Sequence, residues 1–158
     1  MMSPNPVEQS ELFGGLSQDV LKEIATFSRE VEYPRGATIF EEDGKAQNVC
    51  VLVYGLVTLR IETPASEEKV MVTAIRDAGE VFGWSALIKP YIYTSTAVCL
   101  EETKVIVVDG SALMRLLEEK PAAGFVVMKN VSAVVSSRLR KARTALISAL
   151  TPGVISHG

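Results

Sequence analysis

The sequence predicts a mainly β protein, a double-sheet jelly roll with a helix before it and a long helix after it. Three observations carry that prediction. Between Arg29 and Asp109, short β-prone runs recur between glycine, proline and aspartate breaks. Ahead of them, apolar residues return at helical spacing from Val20 to Phe27. Behind them, from Ala122 to Leu150, the chain carries no proline and no acid.

Each element has a local reason. Ser17 is a good N-cap, and Asp19 follows in the first turn, where a carboxylate suits the helix dipole. Val20, Leu21, Ile24, Ala25 and Phe27 then line one face of a helix ending near Ser28. The expected strands are Val31–Tyr33, Thr38–Phe40, Val49–Tyr54, Val57–Glu62, Val70–Ile75, Thr96–Leu100 and Val105–Val108. Pro34-Arg35-Gly36, Asp43-Gly44, Gly55, Thr63 to Ser66 and Asp77 to Gly79 punctuate them. Strands this short and evenly spaced fit an eight-strand jelly roll. Ser111–Glu119 is a short amphipathic helix, and Pro121 suits the first turn of the next one. That helix is about 43 Å long at 1.5 Å per residue. Val127, Val131, Val134/Val135, Leu139, Ala142, Leu146 and Ala149 step along it by three or four, an apolar seam that wants a partner. The expected organisation is a flexible tail over 1–10, the jelly roll over 11–120, a dimerisation helix over 121–150 and a tail over 151–158.

The 158 residues make one domain of ordinary globular composition, 47% hydrophobic and 22% charged. No apolar run reaches membrane-spanning length, and the acidic N-terminus lacks a signal peptide's basic start, so a cytoplasmic location is expected. Cys50 and Cys99 sit inside strand-like runs and read as small buried hydrophobes in a reducing compartment. The net charge of −3 hides an asymmetry: residues 1–119 carry −9 and residues 120–158 carry +6.

The chemistry concentrates in Gly79-Glu80-Val81-Phe82-Gly83-Trp84-Ser85-Ala86-Leu87 and in Tyr93-Thr94-Ser95-Thr96-Ala97. Two glycines four apart stand where a strand ends and a short helix begins. The first N–H groups of that turn have no internal partner, and the helix dipole adds positive character, so the place suits an anion. Turn geometry alone is the plainer reading of the glycines.

From Leu12 to Leu150 the order and spacing of motifs resemble the cyclic-nucleotide-binding domain of the catabolite activator protein superfamily. Leu12 to Ser17 matches the entry to its first helix, Tyr33 to Phe40 its Pro-x-Gly hairpin, Val49 to Gly55 the next strand and Gly79 to Leu87 its phosphate-binding cassette. Thr103 to Asp109 matches the last strand, and Ser111 to Glu119 the helix leaving the barrel. The resemblance implies a ligand set of Gly79 to Ala86 with Lys89, Tyr93, Thr94 and Ser95, a cyclic nucleotide as candidate ligand, no required cofactor, and a parallel homodimer through residues 122–150.

The cassette departs from that pattern at two positions. Trp84 stands where the family has a glutamate that accepts from the ribose hydroxyl, and Tyr93 where it has an arginine that forks onto the phosphate. Losing one partner of a buried charge pair costs about 2–5 kcal/mol of binding. Two readings follow. The pocket retains a nucleotide or other small anion, with Trp84 as a stacking face and Lys89 as a loose charge. Alternatively, Trp84 and Tyr93 plug it, and the barrel is a ligand-independent interaction module.

A regulatory or sensor module that hands its signal to a protein partner is expected, not an enzyme. The only histidine is His157, so neither a metal centre of converging histidines nor a histidine-based nucleophile pair can be assembled. Only eight residues follow Leu150, leaving no room for a recognition helix, so sequence-specific DNA binding is not expected. Arg138, Arg140, Lys141 and Arg143 could touch nucleic acid, an acidic partner or anionic lipid. Their plainer reading is as cations complementing the dipole at a helix C-terminus.

Overall fold

A computed structural model describes residues 7–150, apart from the side chain of Ser66. The order is α1 (Gln18–Thr26), β1 (Ser28–Tyr33), β2 (Thr38–Phe40), β3 (Asn48–Tyr54), β4 (Val57–Thr63), β5 (Ser66–Ile75), β6 (Val81–Phe82), a 3₁₀ turn (Trp84–Leu87), β7 (Thr96–Cys99), β8 (Thr103–Asp109), α2 (Gly110–Glu119) and α3 (Pro121–Leu150). Two four-stranded antiparallel sheets face each other, ordered β1-β8-β3-β6 and β2-β7-β4-β5. The expected jelly roll with an N-terminal helix and a long C-terminal helix is what forms.

The alternation of side chains along a strand explains why β3 and β8 read as unbroken apolar runs. Cys50 and Leu52 of β3, with Val105 and Val107 of β8, point between the sheets and meet Val57, Leu59, Ile75, Phe82, Ala97 and Cys99. Val49, Val51, Ile106 and Val108 point the other way, onto the helices. That second core takes in Leu12 and Phe13, Leu21 and Ile24 of α1, Leu113, Leu116 and Leu117 of α2, and Val127 and Val131 of α3. Burial pushes the Cys50 thiol up to about 12 and raises that of Cys99.

Capping sets the helix ends. Ser17 Oγ accepts from Val20 N at 3.3 Å, and Asp109 accepts from Ala112 N at 2.9 Å to open α2. Gly110 lies so close to the cassette turn that a Cβ there would stand 2.9 Å from the Ala86 Cβ, so only glycine fits.

Three expectations are corrected. Residues 7–10 do not form a tail: Val7 and Ser10 are buried, and Ser10 Oγ accepts from Phe13 N. Residues 1–6 and 151–158, both expected as tails, lie outside the described residues. Val81 and Phe82, expected among the ligand residues, form a two-residue strand on β3 with both side chains buried in the core. The seam of α3 is divided: Val127, Val131 and Val134 pack onto the chain's own barrel, and Leu139 and Leu146 stay exposed. No described helix is long and apolar enough to cross a membrane.

Candidate functional site

The cassette turn hangs between the two sheets. β6 delivers the chain to Gly83, whose positive φ of 78° opens the 3₁₀ turn. A Cβ at Gly83 would press on Asn48 O and on the Phe40 ring, both 3.2 Å away, so the position requires glycine twice over. The expected short helix is a single 3₁₀ turn of four residues, and its dipole is correspondingly small.

Tyr93 is the floor of the site. It is 6% exposed, and its ring stacks on Phe40 with centroids 3.8 Å apart and an interplanar angle of 10°. Its hydroxyl donates to Asn48 O at 2.7 Å and accepts from Asn48 N at 3.2 Å. Burial raises its pKa, and the Asn48 backbone bond partly opposes this. Such a phenol is neutral at pH 7 and has its donor already committed. Between Phe40, Leu59, Trp84, Tyr93 and the Ser85 and Ser95 hydroxyls, a cavity of about 50 Å³ remains. That admits water, whose share of liquid volume is about 30 Å³, but no nucleotide.

A larger groove opens beside it. About 280 Å³ lies between Leu59 and Ile61 of β4, Val72 and Thr73 of β5, Trp84, Thr94 and Ser95, and the long helix at Arg138, Lys141 and Ala142. Leu59, Trp84, Thr94 and Ser95 line both spaces. The hydroxyls of Ser85, Thr94 and Ser95 make no hydrogen bond among the described residues.

Arg138 links the helix to the cassette. Its guanidinium lies 5.1 Å from the centre of the Trp84 ring, a cation–π arrangement. Its Nη2 donates to Val81 O at 2.8 Å and pairs with Glu11 Oε2 at 3.5 Å. Glu11 Oε2 also accepts from Val81 N at 3.0 Å, so one carboxylate holds the cassette strand and the helix together. The Nη1 of Arg138 is buried and has no hydrogen-bond partner among the described residues. Burial lowers the guanidinium's pKa, with Glu11 and Glu80 opposing, though an arginine so placed stays charged.

The residues expected to form the site divide into two groups. Gly83, Trp84, Ser85, Tyr93, Thr94 and Ser95 surround the small cavity. Gly79, Glu80, Val81, Phe82 and Ala86 build the frame. Gly79 turns at φ 91° against Gln9, Glu80 Oε2 accepts from Arg76 N at 3.1 Å, and Ala86 packs on Gly110. Lys89 is exposed and lines none of the described cavities. Sequence reasoning missed Arg138 as a member of the site. Its only signal was membership of the basic cluster, and nothing in one dimension places it on Trp84, 54 positions earlier.

The comparisons with known proteins fit this geometry. A family model described as "Cyclic nucleotide-binding domain" matches residues 30–120. The chain belongs to that family, within the catabolite activator protein superfamily. This cyclic nucleotide-binding domain is 22% identical over 135 residues to the CRP-like cAMP-activated global transcriptional regulator of Mycobacterium tuberculosis, spanning 85% of this chain and 58% of that one. It is 26% identical over 133 residues to the cyclic AMP receptor protein of Thermus thermophilus, spanning 84% and 59%. The chain thus spans under two thirds of the length of these curated relatives. A solved candidate cyclic nucleotide-binding protein from Geobacter metallireducens is 37% identical with a TM-score of 0.76, covering 88% of this chain and 99% of that one.

Proposed function

We propose that this domain is a regulatory module that holds a small anionic ligand between the cassette turn and the long helix, and passes the ligand's presence along that helix. The observation that carries this reading is Arg138, a charged residue of α3 seated on Trp84 and bonded to the cassette strand. The barrel offers no arginine at the cassette, and Arg138 and Lys141 supply the missing charge from the helix side. The family and its regulator relatives make a cyclic nucleotide the first candidate.

The mechanism follows from what Arg138 already holds. A phosphate entering the groove offers two oxygens to a guanidinium whose Nη1 has no hydrogen-bond partner among the described residues. Charge-assisted contact with the ligand competes with Val81 O and Glu11, so the ligand re-seats the helix on the cassette. A ligand shifts that balance only by its differential affinity for the two seatings.

The output side is the flank of α3 beside its buried face. Phe125, Met128, Ser132, Val135, Leu139, Ala142, Leu146 and Ala149 alternate steps of three and four, the spacing of a coiled-coil seam. Phe125 is 69% exposed and Leu139 63%. A homodimer through this face places two cassettes on one shared helix pair, whose altered geometry a partner protein reads in the cytoplasm. Leu139→Glu together with Leu146→Glu should convert a dimer to a monomer by light scattering. An unchanged mass for that variant, or a monomeric parent chain, defeats the dimer.

The experiment for the ligand is thermal unfolding with millimolar cyclic AMP or cyclic GMP. At 100 times its dissociation constant a ligand adds about 2.7 kcal/mol. A second reading has its own support: the stacked Phe40–Tyr93 pair leaves about 50 Å³ inside the cassette, so the barrel is a ligand-independent interaction module. No shift with either nucleotide favours that reading.

A further inference from the structure

A cavity larger than the cassette groove lies elsewhere on the barrel. About 740 Å³ opens between β1, the loop at residues 45–47, the start of β3 and α2. Small-molecule sites commonly enclose roughly 300–1,000 Å³. Three cations from three separate elements line it: Arg29 of β1, Lys45 of the loop and Arg115 of α2. None of them takes part in the described ion pairs, which use Lys104, Lys120 and Arg138. This convergence stands out because residues 1–119 carry a net −9. Two carboxylates border the cleft. Asp109 is engaged in capping α2, which leaves Glu118 with a free acceptor.

We propose that this cleft is a second ligand site, for a small phosphate ester carrying at least two phosphate groups and free hydroxyls. Two guanidiniums and an ammonium supply three positive charges, and Arg recognises phosphate oxygens bidentately. Glu118 and the Gln47 side chain supply acceptors for hydroxyl groups. A monoanion would leave at least one cation unanswered. An apolar molecule would find little to bury against beyond Ala46, Ala86 and Met114.

The cleft shares a wall with the cassette without sharing its ligand groups. Ala86 lines the cleft, and Trp84 and Ser85 of the same turn line the cassette cavity. Asn48, the first residue of β3, also lines the cleft, and its backbone holds the Tyr93 hydroxyl. Gly110 N donates to Gln47 O at 2.9 Å, tying α2 to the loop at residues 45–47. The site is nevertheless independent of the cassette reading, since neither Arg138 nor Lys141 reaches it.

The test is isothermal titration of the full chain with inorganic pyrophosphate and with ATP at 50 mM salt. One site per chain is expected, weakened at least tenfold by Arg29→Gln with Arg115→Gln and by 0.5 M salt, and altered less than twofold by Arg138→Ala. Both substituted arginines are exposed, so the variant should unfold at the parent temperature. Binding that survives Arg29→Gln with Arg115→Gln but disappears in Arg138→Ala would place the anion in the cassette groove and overturn the proposal. So would no binding of either probe at millimolar concentration. Citrate binding as tightly as pyrophosphate, with the same arginine dependence, would overturn the phosphate-ester class.

Discussion

The inside of the cassette and the groove beside it differ in almost every property that decides ligand binding. Inside, Tyr93 is stacked on Phe40, bonded to Asn48 in both directions and surrounded by about 50 Å³ of space. In the groove there is about 280 Å³, an indole under a guanidinium, a second cation at Lys141 and hydroxyls with no partner among the described residues. Interior polar groups that are fully satisfied rigidify a core, and unsatisfied ones are available to something else. The interior of the cassette is packed, and open space lined by charge lies at its boundary with the long helix.

The largest test of a dry interior is all-or-none. Cys50, buried between the sheets with its thiol pushed up to about 12, should not react with a disulfide reagent at pH 8 until the chain unfolds. The folded thiol keeps its proton where the unfolded one ionises. Stability from this group is therefore full below about pH 9 and is lost as pH rises from 9 to 12. Rapid native labelling at pH 8 would mean the interior opens readily.

Tyr93→Ala should destabilise by about 3–5 kcal/mol, as removal of a buried aromatic does. Tyr93→Phe, which loses only the Asn48 bonds, should cost about 1–3 kcal/mol. Denaturant titration measures both. A neutral Tyr93→Ala would show that the ring is not a structural plug. Arg138→Ala should cost about 1.5–3 kcal/mol, the range for hydrogen bonds to charged groups, and leaves Val81 O without that donor. The smallest effect should come from Ser85→Ala and Ser95→Ala. These hydroxyls make no bond among the described residues, so stability should change by less than about 0.5 kcal/mol. Ligand affinity should fall several-fold by titration. A large stability loss there would make the groove another packed region and erase the contrast.

Most of the fold was legible because period and punctuation agree. Seven of the eight strands were marked by β-prone runs between turn residues, and β3 and β8 announced themselves as continuous apolar stretches because both faces are covered. Val81–Phe82 was read as part of a motif, since two residues carry no periodicity. β5 begins at Ser66, not Val70, because Ser66-Glu67-Glu68-Lys69 is polar and pairs at a sheet edge, where no hydrophobic signal is needed. The site was half legible. Gly83, Trp84, Ser85, Thr94 and Ser95 sit in two short segments that the fold brings together locally. Arg138 belongs to the site only because a helix of 30 residues returns along the barrel, and its charge looked like that of its exposed neighbours Arg140 and Arg143.

In the proposed function the helix, through Arg138, reads an anionic ligand at Trp84. The most direct measurement is titration of Trp84 emission with cyclic AMP and cyclic GMP, in the parent chain and in Arg138→Ala. A saturable change is expected in the parent for at least one nucleotide, with affinity falling at least tenfold in the variant. An equal affinity in both, or no response in the parent to either nucleotide, would contradict it.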